Sequence, residues 1–103
     1  MLRSDVKREL EDLSNEMFGR FQRVFRLLED FGPFEVGMPH VRVLRDKLWE
    51  IRVSGRDGIA RGIYVLATDK ELVILRVFHK KTNKTPNAEI ELALKRARED
   101  GLL

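Results

Sequence analysis

The residues able to do chemistry in this sequence are mostly cations. The chain has no cysteine, and its two histidines, His40 and His79, lie far apart. Disulfides, thiolate metal sites and cysteine nucleophiles are therefore excluded, and no histidine spacing suits a metal centre. No metal and no cofactor is expected. What remains is Arg52, Arg61 and Arg76, set in alternating apolar stretches, and the run His79, Lys80, Lys81 and Lys84. Arginine offers a rigid, permanently charged fork that suits a phosphate, whereas lysine is a point charge that acts as a base only when its pKa is depressed. Histidine is the side chain whose ordinary titration spans neutral pH.

Charge distribution sharpens this reading. The 20 Lys and Arg against 17 Asp and Glu give only +3 over 103 residues. Residues 38–84, however, hold eleven basic and five acidic side chains, a local +6, while residues 1–30 and 85–103 each stand at −1. A contiguous basic half makes a phosphate backbone the first candidate partner.

These residues need elements to hold them. Leu10, Leu13, Met17, Phe21, Val24 and Leu28 recur at helical spacing, widened by Phe18 and Phe25. Ser4 is a candidate N-cap, with Asp5 in the first turn. Ser14 and Asn15 compete with a helix for backbone hydrogen bonds. They predict a short helix to about residue 13 and a longer one over 15–30; a single kinked helix is the alternative. Gly32-Pro33 ends it. Residues 34–47 read as loop or extended chain. Residues 48–53, 59–67 and 72–79 then read as strands joined by short turns, an antiparallel meander. Thr85-Pro86 predicts an N-cap and first helical position, and an amphipathic helix over 86–100 closes the chain. The expectation is one α+β domain over residues 1–103: two N-terminal helices, a three-stranded or larger antiparallel sheet and a C-terminal helix. No apolar run approaches the roughly 18 residues of a membrane span. The first ten residues are charged throughout, unlike a secretory leader, so a cytoplasmic protein with no membrane partner is expected.

Four segments resemble the RelE-like superfamily, in its phage-derived, HigB-like branch of type II toxins. They are the Gly32 segment ending in Met38-Pro39-His40; Trp49-Glu50-Ile51-Arg52; Gly58-Ile59-Ala60-Arg61 with Tyr64; and Phe78-His79-Lys80-Lys81-Thr82 with Lys84-Thr85-Pro86 and the trailing Glu89 and Ala93. The last is the most specific, and the resemblance covers essentially the whole chain. It implies a small antiparallel sheet packed by helices and a ribosome-dependent mRNA endonuclease that inhibits translation. It also implies a cognate antitoxin, often a DNA-binding helix-turn-helix protein. A strand ahead of the first helix is usual in that superfamily. Here the sequence reaches the helix at Ser4-Asp5-Val6: either the start codon is assigned late or the edge strand is missing, and a missing strand would leave a sheet edge unpaired.

Metal-free RNA cleavage requires a base for the 2′-hydroxyl, positive charge on the pentavalent phosphate, and a proton for the leaving 5′-oxygen. The resemblance makes Arg52, Arg61, His79 and Lys81 the candidate catalytic residues. Arg45, Arg76, Phe78, Lys80, Thr82 and Lys84 are the candidates for RNA contact. Each has an ordinary alternative: a cross-strand ion pair for Arg52, pairing with Glu50 for Arg76, a solvated loop for the lysines, and packing under a helix for Phe78. Tyr64 and Trp49 read as core, His40 as loop. Two other functions stay open. One is a RelE-fold module that binds RNA, the ribosome or an antitoxin without cutting. The other, a ParE-like toxin acting on DNA gyrase, is disfavoured by the Phe78–Thr82 motif.

Overall fold

The computed structural model describes residues 3–32, 41–45, 47–56, 58–67, 72–80 and 84–103, and at Lys80 the backbone alone. The chain opens with α1 (Ser4–Glu11) and α2 (Asn15–Phe31). Val6 and Leu10 of α1, and Met17, Phe21, Val24 and Leu28 of α2, are the buried stripe that the spacing predicts. Two helices form in place of one kinked helix because Ser14 leaves the helical backbone. Its hydroxyl accepts from the Met17 N–H at 3.2 Å and caps α2. Ser4 itself is the first residue of α1, whose N-cap position is Arg3. Gly32 ends α2 at φ +80°, a conformation that suits glycine.

Four strands follow: β1 (Val41–Val43), β2 (Leu48–Gly55), β3 (Gly58–Leu66) and β4 (Leu72–Lys80). They form one antiparallel sheet in the order β1-β2-β3-β4. With the closing helix α3 (Asn87–Glu99) this is an α+β fold. β1 sits within the stretch read as loop or extended chain; three residues are too few for alternation to announce a strand. The register sorts side chains onto two faces. The rows Val53–Ala60–His79, Ile51–Gly62–Val77 and Trp49–Tyr64–Ile74 lie on one face, where their apolar members pack with α1 and α2. The rows Arg52–Arg61–Phe78, Glu50–Ile63–Arg76 and Leu48–Val65–Val73 lie on the other, where α3 packs. A register shift after Ile63 leaves Leu75 as the extra residue of β4, a bulge. Gly62 lets α2 approach: a Cβ there would stand 3.1 Å from a ring carbon of Phe21.

Among the described residues no strand pairs with the outer edge of β4, and side chains meet its backbone. Glu9 of α1 accepts from the Val77 N–H at 2.9 Å, and Arg96 of α3 donates to the Leu75 carbonyl at 2.9 Å. The start of α3 also differs from the prediction. The helix begins at Asn87, Pro86 takes the capping position without a side-chain bond, and the Thr85 hydroxyl turns inward. No helix among the described residues is long and apolar enough to cross a membrane.

Candidate nucleic-acid interface

Alternation along β2 and β3 puts Glu50, Arg52 and Arg61 on the α3 face, and pairing with β1 sets Arg42 opposite Glu50. Glu50 and Arg61 are fully buried, and Thr85 is nearly so. The Glu50 carboxylate is the hub. One oxygen accepts from Arg42 Nε at 3.1 Å; the other accepts from the Thr85 hydroxyl and stands 3.6 Å from Arg61 Nη1. Arg61 Nη1 in turn donates to Thr85 Oγ1 at 2.6 Å. Burial pulls the Arg61 guanidinium below its ordinary pKa; Glu50 opposes that, while Arg52 and Arg42 reinforce it. Three arginines thus lie around or beside one buried carboxylate. Arg42 and Arg52 are half-buried and Lys84 is exposed, so positively charged groups reach solvent beside the start of α3. Such a group can hold phosphate oxygens with forks fixed in advance.

The sequence candidates divide. Arg52 and Arg61 face each other across β2 and β3, with Phe78 in the same row. Phe78 is buried against the α3 cluster, so its ring is not presented to a base. Arg76 does not pair with Glu50: it is held by Glu9 and Glu89, each at 2.7 Å, and lies 5.7 Å from the Phe78 ring centre. Those carboxylates raise its pKa, Glu89 most. Arg45 is exposed and forms an ion pair with Glu91 of α3. His79 is exposed on the opposite sheet face, in an open concavity with Asp12, Leu13, Ser14 and Met17. The sheet thus separates His79 from Arg52 and Arg61. Lys80 continues β4 opposite Ile59, and Lys81, Thr82 and His40 lie outside the described residues. Tyr64 is buried and stacked on Trp49 at 6.3 Å, and burial raises its pKa.

Sequence reasoning passed over Arg42, read Thr85 as an N-cap and took Glu50 only as a neighbour of Arg52 or an ion-pair partner for Arg76. Glu50 carried a signal: a carboxylate alternating between Leu48 and Arg52 on a face that must meet a helix. Arg42 carried none, because nothing local marks β1.

No curated protein matches this chain. A family model does match residues 8–98, nearly its whole length. On that match the chain belongs to the phage-derived protein Gp49-like family (DUF891), a RelE/toxin-like family.

Proposed function

We propose that this chain is the toxin of a type II toxin–antitoxin module, acting in the cytoplasm as a ribosome-dependent mRNA endonuclease of the HigB-like type. The observation that carries the reading is the pairing of Arg42 and Arg61 with one buried carboxylate, Glu50, with Arg52 across the strands from Arg61 and Lys84 exposed next to Thr85. A surface of this kind neutralises RNA phosphates and stabilises the extra negative charge of a pentavalent phosphate. Arg42 and Arg52 contact the backbone. Arg61 supplies field from behind them. Proton transfer falls to the basic segment 80–84, since His79 lies on the other face. That separation also favours a second reading, in which the same surface binds RNA or the ribosome and blocks translation without cutting. A helix-turn-helix antitoxin is the partner in either case.

The test is a translating extract charged with the purified protein and a reporter mRNA, with 5′ ends mapped by primer extension. New ends that require ribosomes, and that disappear with Arg42→Ala/Arg52→Ala, support the endonuclease. Arrest without new ends replaces it by the binding reading, and undisturbed translation removes both.

A further inference from the structure

The Thr85 hydroxyl bonds to both halves of the buried pair. It receives a hydrogen bond from Arg61 on β3 and gives one to Glu50 on β2. Its single proton is therefore committed to the carboxylate and its lone pair to the guanidinium. Thr85 is also the residue after Lys84 and stands two before α3 begins. One buried side chain thus joins the sheet bearing the arginines to the segment bearing Lys84. A second tie, the Arg45–Glu91 ion pair, is exposed and farther along α3.

We infer that Thr85 is a positioning residue: its hydroxyl registers the Lys84 segment and the start of α3 against Arg42 and Arg52, so that both groups of cations meet one RNA backbone. The inference rests on the RNA-binding surface proposed above and adds the element that aligns its two parts. Valine at this position keeps the shape and removes both hydrogen bonds of the hydroxyl, while the Arg42–Glu50 bond and the 3.6 Å approach of Arg61 to Glu50 remain. Serine keeps the hydroxyl.

Two readouts on the full chain decide the matter: the Kd for a labelled single-stranded RNA oligonucleotide, measured well below the melting temperature, and amide hydrogen exchange over residues 84–89. Thr85→Val should weaken binding about tenfold, equivalent to one lost hydrogen bond of about 1.4 kcal/mol. It should also speed exchange in that segment, while Thr85→Ser stays near wild type in both. A lowered melting temperature with unchanged Kd assigns Thr85 a purely structural role and overturns the inference, as does unchanged exchange. If the wild-type chain binds no RNA, the proposed surface fails and the inference fails with it. If wild type and Thr85→Val bind equally, only the inference fails.

Discussion

Removing the Glu50 side chain would leave a guanidinium, that of Arg61, in the core without the carboxylate it faces. Both groups are fully buried, and breaking a buried pair from one side costs far more than the pair contributes, because the remaining charge stays desolvated. Glu50→Ala should lower the unfolding free energy by about 3–5 kcal/mol in urea titrations. Arg52→Ala, at a half-buried and partly solvated position, should cost about 1 kcal/mol or less. Equal costs for the two would show that Glu50 is not the hub of the cluster. Only part of this was legible in the sequence. Arg52 and Arg61 share a face because strand residues alternate, and alternation is a local property. Thr85 reads locally as the start of a helix before proline. Its partner Glu50 is 35 residues away, and only the packing of α3 on the sheet brings them together.

Elements were easier to read than contacts. The stripes of α1 and α2 and the meander β2–β3–β4 follow from periods of 3.6 and 2, which burial of one face enforces. β1 was missed because its three residues form a strand only through the ladder that β2 offers. The same dependence on a neighbour explains Gly62. It lies in the middle of β3, where glycine gives up packing, yet it makes room for the Phe21 ring of α2. Gly62→Ala tests that approach. The added methyl would stand 3.1 Å from Phe21, between a helix and a sheet held from both sides. The expected result is a loss of about 1–3 kcal/mol from overpacking, in spite of the better intrinsic strand propensity of alanine. Phe21→Leu should recover part of it in the double variant. A neutral or stabilising Gly62→Ala would mean that α2 moves freely over the sheet.

Across the whole molecule, ion pairs tie the two ends of the described chain together. Arg3 binds Asp5 at 3.0 Å, Glu99 at 3.1 Å and Asp100 at 2.9 Å, and donates to the Arg96 carbonyl at 2.9 Å. Arg96 bridges Asp5 at 3.2 Å and Glu9 at 2.9 Å, and Glu9 meets Arg76. The network therefore runs from the first helix across the β4 edge to the last. It meets the β4 backbone through charged side chains, Glu9 at Val77 and Arg96 at Leu75, so it should depend on pH. The Arg3 guanidinium holds the Asp5 carboxyl below its ordinary 3.8, against the opposing effect of burial and with further help from Arg96. A carboxyl depressed in the folded state adds stability above its unfolded pKa and loses it as pH falls through the folded value. Asp5→Asn keeps one acceptor oxygen for Arg3 Nε and the Val6 N–H, loses the acceptor that meets Arg3 Nη2 and Arg96, and cannot carry the charge. Because Asp5 is 35% exposed, solvent screens the pair, and the wild-type advantage at neutral pH should be at most about 1 kcal/mol. That margin should hold down to about pH 4, close as pH falls further, and shrink at neutral pH in about 1 M salt. Urea midpoints of both proteins across that range measure it. A margin that persists in acid, where Asp5 is protonated, would show that the network does not stabilise the fold through this charge.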